Sequence, residues 1–453
     1  MEQNKDKRFF FFLHYFDPHD EYVPPEPFAS EFPSNPYAGE IAYTDHCIGQ
    51  VLEKLKKLGL YDSTLIIITS DHGEMLGEHG EDTHTYFIYQ AAIKVPLIFK
   101  LPGQSKPARI KAIAGLVDIV PTVCNALGIE TPKNVQGVDL FADSNGKNPS
   151  VENRHIYCES LLPTRYKASP LLGVVNDRYK YIQTTRPELY DLIHDPAEST
   201  DLSGNQQQLA GVMKDKLAQI LEQFVRKASP DSRMEVDTRT AERLRSLGYV
   251  GGHVTEDFSV DQTKDDPKDL LGYHLLNVRL ENHRLRREKY DQAVILAEQM
   301  IQQRPDLSPA YEALGLIALD QGDYSGAIVH LGKAIEVGLD NARTAIVYNN
   351  RGAAYRKKGE YDLAIHDFNE AIRLSPCSAE AHSNRGIAYC SKGEYEQGIS
   401  DLDRAIELNP NNAKSYFNRG IAYQGKGNLV RADRDFNKAI TLNPALKELL
   451  QRP

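Results

Sequence analysis

The chain has 453 residues, of which 41% are hydrophobic and 26% are charged, and its formal net charge is −10 at pH 7. A chain of this length exceeds a single compact core, so we expect at least two domains. The composition is that of folded globular proteins and argues against wholesale disorder or a fibrous fold. The negative charge argues against nucleic acid as a partner, because such binding depends on clustered lysine and arginine side chains.

The cysteines and the apolar runs exclude several classes of protein. The five cysteines are odd in number and scattered, and no C-x-x-C pair predicts a disulfide framework or a zinc site. No apolar run approaches the roughly 18–20 residues of a membrane span. The run Phe9–Leu13 is short and is followed at once by Asp17 and His19. We therefore interpret Phe9–Phe16 as a buried strand rather than a signal peptide, with His14 as a core residue.

The first half of the chain then alternates between helical and strand patterns. A proline-rich loop, Pro24–Pro36, gives way to a helical pattern that begins near Glu40 and that Gly59 ends. Two continuous apolar runs follow, Leu65–Thr69 and Val95–Phe99, and the first has the pattern of a central strand covered on both faces. This order predicts a parallel α/β sheet, whose ligands gather outside the carboxyl ends of the strands.

The middle of the chain predicts a smaller unit and a linker. Leu172–Val175 and Tyr179–Gln183 read as strands joined through Asn176-Asp177, a helix is expected over Gln208–Val225, and Ser229–Asp269 is polar. The predicted organisation is a partial α/β domain (1–150), a strand-plus-helix subdomain (151–228), a linker (229–269) and a helical repeat region (270–453).

The C-terminal region repeats one pattern at a constant spacing, which is that of Gly352, Gly386 and Gly420. The spacing matches the period of tetratricopeptide repeats, about 34 residues, in which pairs of helices stack into a solenoid. An earlier unit is offset by an insertion near Leu339–Asn341, and a weaker one precedes it. We expect about five repeats over Leu270–Leu446, which form an all-α solenoid that folds by itself.

Two interpretations of the repeats remain open. The array either holds only itself together, or it forms a concave groove for a protein or peptide partner; we favour the groove. The side chains expected to line it in part are Asn349, Arg356, Ser383, Phe417 and Gln424.

A cluster of polar residues follows the first apolar run directly. Asp71 and His72 stand where side chains emerge from the carboxyl end of a strand, and His79 and His84 follow within glycine-rich chain. A carboxylate and an imidazole in this place can share a metal ion. The alternative is that Asp71 and His72 cap a helix and form local hydrogen bonds.

The sequence around this cluster resembles a known family. Ser70–Gly80, Val95–Ile98 and Leu101–Gly103 are similar to the metal-binding block of sulfatases in the alkaline-phosphatase superfamily. The segments that resemble other parts of that family are Leu13–His19, Gly39–Asp45, Leu116–Thr122, Arg178–Ile182, Glu188–Leu192 and the junction Leu247–Gly252. The resemblance covers the first half of the chain and implies an α/β alkaline-phosphatase-like domain that is incomplete at its N-terminal side.

The resemblance also implies roles for individual residues. Asp71 and His72 would hold a divalent metal, calcium or magnesium, with manganese as an alternative. His19 would contact the sulfate or phosphate group, and His84 would take the place of a lysine or histidine that touches the ester oxygens. His79 has an almost equal claim to a site role, against a role as a loop hydrogen-bond donor. The implied substrate is a sulfate or phosphate ester, with sulfate favoured.

One part of the family pattern is not found before the metal block. The family mechanism needs a nucleophile in a C/S-x-P-x-R setting, and no such setting precedes the metal block. Leu161–Arg165 approaches the pattern, but it has leucine at the nucleophile position and follows the metal block. The implied protein is a truncated and inactive sulfatase-like hydrolase with a repeat tail. The alternatives are a repeat-based scaffold with a vestigial hydrolase platform, or a relative that hydrolyses phosphodiesters or phosphonate esters.

Overall fold

The computed structural model describes residues 7–19, 21–104, 107–141, 153–225 and 261–450. The chain divides into two compact units, Met1–Ser160 with Leu171–Ile220, and Leu161–Pro170 with Leu221–Pro453. Most of the predicted linker 229–269 and the whole junction Leu247–Gly252 lie outside the described residues, and the predicted domain boundaries stay a prediction.

The first unit contains short strands and mostly short helices. In chain order they are α1 (Phe28–Glu31), α2 (Pro36–Lys57), β1 (Ile66–Thr69), α3 (Gln90–Ile93), β2 (Leu97–Lys100), α4 (Ile119–Leu127), β3 (Ile156–Ser160), β4 (Leu171–Val175), β5 (Tyr179–Gln183), β6 (Glu188–Asp191) and α5 (Gln207–Val225), which runs past the end of the unit.

The predicted helix is confirmed and has clear start and stop signals. Pro36 occupies its first turn, and the Asn35 side chain accepts a hydrogen bond from the Ala38 N–H at 3.1 Å. Lysines stand in the last turn, where the helix dipole favours positive charge, and Gly59 follows with φ +68°. The helix begins at Pro36, one turn before Glu40.

The prediction of a parallel sheet is wrong for the described strands. β1 and β2 pair antiparallel, with Ile67 opposite Phe99, and β1 is half-buried rather than covered on both faces. A parallel pair needs a crossover connection of a dozen or more residues, usually a helix. The chain between β1 and β2 contains only the short α3 and a 3₁₀ turn at Glu78–Gly80, so it returns as an antiparallel partner.

The predicted buried strand Phe9–Phe16 is also wrong. The described residues 7–19 pair with none of the described strands, and Phe10 and Phe12 are 90% and 75% exposed. His14 is exposed and does not belong to the core. Apolar composition gives a strand only where a neighbouring strand and an opposing face are present, and this segment has neither among the described residues.

The predicted hairpin and the last helix of the unit are confirmed. β3, β4, β5 and β6 form an antiparallel four-stranded sheet in chain order. The turn between β4 and β5 is held by Asn176, whose side-chain oxygen accepts hydrogen bonds from the N–H groups of Arg178 and Tyr179 at 2.9 and 2.7 Å. β4 is buried along its whole length.

The second unit is a series of antiparallel helix pairs. Its helices are α6 (Leu271–Leu285), α7 (Tyr290–Gln303), α8 (Pro309–Gln321), α9 (Tyr324–Val337), α10 (Asn341–Lys357), α11 (Tyr361–Leu374), α12 (Ala379–Ser391), α13 (Tyr395–Leu408), α14 (Ala413–Gly425), α15 (Leu429–Leu442) and α16 (Lys447–Leu450).

The repeated glycines permit close approach within each helix pair. A Cβ atom on Gly352 would lie 2.8 Å from the ring of Phe368, and one on Gly420 would lie 2.6 Å from the ring of Phe436. Phe368 is fully buried. The small-large pairs between the first and second helix explain why glycine recurs at this period, and the predicted solenoid is confirmed.

The same three repeats share an ion pair that the sequence analysis did not find. Arg351, Arg385 and Arg419 each bind the aspartate 16 residues further on through two hydrogen bonds of 2.6–2.9 Å. These aspartates, Asp367, Asp401 and Asp435, are buried. We call this set the Arg–Asp ladder. Within the part of the chain that the structure describes, no helix is long and apolar enough to cross a bilayer.

Candidate functional site

The two predicted metal ligands stand side by side where β1 ends. His72 Nε2 lies 3.6 Å from Asp71 Oδ1, and both side chains are accessible, 36% and 56% exposed respectively. The His72 N–H donates to the same carboxylate oxygen at 3.1 Å. The pair is therefore pre-arranged at the surface, with donors of two kinds facing one point.

The orientation of the His72 ring is set by the backbone beside it. Its Nδ1 lies 2.9 Å from the carbonyl oxygen of Gly73, which can only accept, so Nδ1 carries the proton and Nε2 keeps a lone pair. Gly73 in turn donates its N–H to Ala92 at 2.7 Å, and a Cβ atom there would overlap the Ala91 carbonyl oxygen. Only glycine fits this position.

His84 stacks on His72, although the two lie on separate parts of the loop. The two ring centroids are 3.7 Å apart and the rings are nearly parallel, at 13°. His84 Nδ1 lies 3.1 and 3.2 Å from the carboxylate oxygens of Glu74, so Nδ1 carries a proton and Nε2 is the atom left to meet a ligand. Glu74 is nearly enclosed, with 5% of its side chain exposed.

A buried glutamate holds the loop that carries His84. Glu81 accepts hydrogen bonds from the N–H groups of Thr85, Tyr86 and Phe87 at 2.7–3.1 Å. Its burial raises the pKa of the carboxyl group above the ordinary glutamate value, and the three backbone donors oppose that rise. The histidine is therefore placed by a carboxylate that does not itself reach the surface.

His19 joins the same cluster from the N-terminal segment. Its ring centroid is 5.9 Å from that of His84, edge to face, and 4.3 Å from that of Phe16. Glu40 on α2, 3% exposed, accepts the N–H of His19 at 3.1 Å and that of Val23 at 2.6 Å. The structure thus brings His19, His72 and His84 together, and their roles in a site stay a prediction.

His79 contacts other groups. Its Nε2 lies 3.3 Å from the carbonyl oxygen of Ala197, and its ring stacks on Tyr89 with centroids 3.6 Å apart. These contacts agree with the interpretation of His79 as a loop hydrogen-bond donor. The glutamates Glu40 and Glu74 were missed by the sequence analysis; the only signal was an acidic residue within each motif, and nothing local showed that it would be enclosed.

The residues present fit part of a divalent-metal site. Asp71 supplies a hard oxygen and His72 a nitrogen with a free lone pair, close enough to share one ion. Among the residues that the structure describes, no group of three or more histidine, cysteine, aspartate or glutamate side chains is arranged to hold a metal. Calcium and magnesium take six or more ligands, so these two residues would form one side of a site.

The predicted groove residues of the repeats differ in their environments. Asn349 is buried, donates to Glu380 at 3.1 Å and accepts from Asn384 at 3.0 Å, which links one repeat to the next. Ser383 is also buried, beside Ser415. Gln424 is exposed, and Phe417 packs against Phe436. Asn349 and Ser383 therefore join neighbouring repeats.

Comparison with family models agrees with this division into a hydrolase-type site and a helical array. Residues 1–129 match the sulfatase model, and residues 77–226 match the model of the C-terminal part of N-sulphoglucosamine sulphohydrolase. Residues 282–343, 345–376, 386–427 and 413–446 match tetratricopeptide-repeat models. The chain is a sulfatase-family region joined to tetratricopeptide repeats.

Several similar curated proteins are sulfatases, and the likeness is partial. Bovine (Bos taurus) arylsulfatase K is 29% identical over 195 residues, 41% of this chain and 36% of its own length. The N-acetylglucosamine-6-O-sulfatase of Bacteroides thetaiotaomicron is 31% identical over 176 residues, 37% of this chain and 31% of its own length. A solved structure, the putative sulfatase yidJ from Bacteroides fragilis, is 25% identical, with TM-score 0.37 and coverage of 46% of each chain. The chain spans about a third of the length of the curated relatives it matches.

Proposed function

We propose that the first unit is the substrate-histidine and metal-ligand part of a hydrolase of sulfate esters, and that the repeats bind a protein or peptide partner. The observation that carries the proposal is the convergence of His19, from the N-terminal segment, with His72 and His84, from the loop after β1. The likeness to sulfatases favours sulfate over phosphate.

The roles follow from the hydrogen bonds of each ring. Asp71 and His72 Nε2 would hold calcium, magnesium or manganese, a group that supplies Lewis-acid polarisation of the ester when bound. The Glu74 carboxylate occupies Nδ1 of His84, so Nε2 is the atom that would contact an ester oxygen. His19 would donate to a second oxygen, in an orientation fixed through its backbone by Glu40.

We further propose that this chain by itself binds divalent metal weakly and does not turn over esters. Two ligands offset little of the cost of removing water from a hard cation. A C/S-x-P-x-R pattern occurs at Ser105–Arg109, after the metal block, and none precedes Asp71 to supply the family nucleophile. A second candidate function follows from the same features: a scaffold that acts through its repeats, with the hydrolase unit as a folded platform.

Metal titration and an ester assay test the inactive state. Calorimetric titration of Ca²⁺ or Mg²⁺ into the chain is expected to give a Kd on the order of millimolar or weaker. p-Nitrophenyl sulfate, bis-p-nitrophenyl phosphate and a phosphonate ester are expected to stay intact. Micromolar metal affinity together with turnover that Asp71→Ala abolishes would overturn this proposal, and a preference for a phosphorus ester would favour the phosphodiesterase relative.

Ligand binding tests the roles of the histidines without relying on turnover. Addition of p-nitrophenyl sulfate is expected to shift the imidazole NMR signals of His19 and His84, and to leave that of His79 unchanged. His84→Gln should weaken this binding several-fold, and His79→Gln is the matched control. Sulfate-ester binding that neither His19→Gln nor His84→Gln weakens would place the anion elsewhere and remove the support for the hydrolase assignment.

A further inference from the structure

One segment of the sulfatase-type region is part of the repeat unit. Leu161–Pro170 connects β3 to β4 and lies inside the match to the sulphohydrolase C-terminal model, residues 77–226. It nevertheless clusters with the second unit. Its first residues approach the family nucleophile motif, but leucine, Leu161, occupies the reactive position and cannot act as a nucleophile.

Tyr166 anchors the segment on the first repeat helix. Its side chain is fully buried. Its hydroxyl lies 2.9 Å from Nδ1 of His274, and its ring meets that of Tyr273 edge to face, with centroids 5.5 Å apart. Tyr273 and His274 both belong to α6 and are themselves buried. An aromatic side chain of this size, enclosed on a single helix, is a large share of what that helix buries.

Backbone contacts extend the attachment on the C-terminal side of Tyr166. Ala168 pairs with Asp265 in a parallel bridge, and the Ser169 N–H donates to the Asp265 carbonyl at 3.0 Å. Lys167 Nζ donates to the carbonyl oxygen of Asp306, beyond α7, at 2.7 Å. Ala168 and Ser169 are fully buried. The segment therefore spans the chain before α6 and the turn after α7.

The segment lies against the first helix pair of the array, which lacks a preceding repeat to pack against among the described residues. Each helix pair of a solenoid buries its apolar face against the next pair, so the first pair has one face without a neighbour and needs a cap. We propose that Leu161–Pro170 is the N-terminal cap of the repeat array. The interaction surface is the outward face of α6, and its partner is an intrachain segment that presents one enclosed tyrosine.

Arg165 lies in the same segment, but attachment of the cap does not depend on its side chain. Its guanidinium Nε is enclosed and has no hydrogen-bond partner among the described residues. Burial and the positive charge of Arg343 lower its pKa below the ordinary arginine value. An enclosed cation whose Nε lacks a bonded partner contributes little to attachment, so Arg165→Met should keep the cap in place.

Hydrogen exchange on the full chain tests the cap. Tyr166→Ala should speed exchange of α6 and α7 amides by about tenfold or more, because local opening there becomes easier, and leave α12 to α15 unchanged. Tyr166→Phe should keep most of the protection, and Tyr166→Leu should be intermediate, which preserves the test if Tyr166→Ala does not fold. Arg165→Met should match the unaltered chain.

Tyr181→Ala is the matched control, because Tyr181 is a buried tyrosine of β5 in the first unit. It should speed exchange in β4 to β6 and not in α6. Unchanged α6 exchange in Tyr166→Leu, together with Tyr166→Ala if that variant folds, would overturn the proposal. Loss of α6 protection in Tyr181→Ala would also overturn it, since α6 would then follow the stability of the first unit as a whole.

Discussion

The two units enclose charged groups in different ways. In the first unit, Lys180 and Glu198 form an ion pair at 2.7 Å with both side chains fully buried, and the pair is not part of a sequence repeat. In the second unit, the Arg–Asp ladder recurs once in each of three successive repeats, and its arginines keep about a fifth of their surface exposed. The first unit makes this contact once, and the second unit repeats one contact at a constant period.

The difference predicts how far the destabilising effect of a substitution extends through the structure. Lys180 Nζ also donates to the Ile88 carbonyl, and Glu198 accepts the Gln90 N–H, so the pair ties β5 to the chain that follows the His84 loop. Loss of either partner disturbs several elements together. A ladder pair joins two helices of one repeat, and its loss stays within that repeat and its neighbours.

The largest effect is expected from Lys180→Met. It leaves the Glu198 carboxylate enclosed without its cation and should lower the free energy of unfolding of the first unit by about 3–5 kcal/mol. Denaturant unfolding followed by hydrogen exchange measures this unit by unit. Lys56→Met, which breaks an exposed pair with Glu53, is the control and should leave the midpoint unchanged. An equal loss in both variants would show that enclosure is not the cause.

A smaller effect is expected from pH at the non-periodic end of the repeat unit. Burial, with Arg165 nearby, lowers the pKa of His274 from 6.5 to about 4. The unfolded chain therefore binds this proton first as pH falls, so the stability contribution is full above pH 6.5 and is lost between pH 6.5 and 4. The free energy of unfolding is therefore expected to be about 3 kcal/mol lower below pH 4 than above pH 6.5.

The check is the pH dependence of unfolding for the unaltered chain and for His274→Gln, followed through α6. The variant should show a flatter profile over this window. His366→Gln, a change at an exposed histidine of α11, should keep the original profile. Parallel profiles for all three proteins would contradict the assignment of the pH effect to His274.

The smallest effect concerns the repeated glycines. Gly352→Ala places a methyl group against the Phe368 ring and should destabilise its repeat by about 1–3 kcal/mol. Gly211→Ala, within α5, meets no atom within 4 Å and should stabilise its helix by about 0.5–1 kcal/mol. Thermal unfolding of both variants gives opposite signs if packing, rather than helix propensity, selects glycine at position 352.

The same contrast explains how much could be predicted from sequence. The helix at Pro36–Lys57, the hairpin at Asn176 and the repeat helices depend on capping residues, turn residues and a regular repeat period, all of which are local. Local signals also placed Asp71 and His72 at a strand end. These features are confirmed because the interactions that form them lie within a few dozen residues.

The wrong predictions have a common physical cause. An apolar run shows that a segment would be buried if a neighbour were present, but not which neighbour or in which direction. Phe9–Phe16 therefore seemed to be a buried strand and His14 a core residue, and β1 and β2 seemed to be parallel. Glu40 and Glu74 were missed because no capping, turn or repeat signal links them to their partners His19 and His84, which lie 21 and 10 residues away.

Because of the Arg–Asp ladder, three successive repeats contain the same contact between their two helices. Arg385 and Arg419 each also bind a residue of the preceding repeat, Asn369 at 2.6 Å and Asp403 at 2.6 Å, so the ladder couples units as well as completing each one. Removal or duplication of one whole repeat between equivalent points would bring the same atoms together again. The array can therefore change length in whole units during evolution. A change of any other length would break one Arg–Asp pair of the ladder.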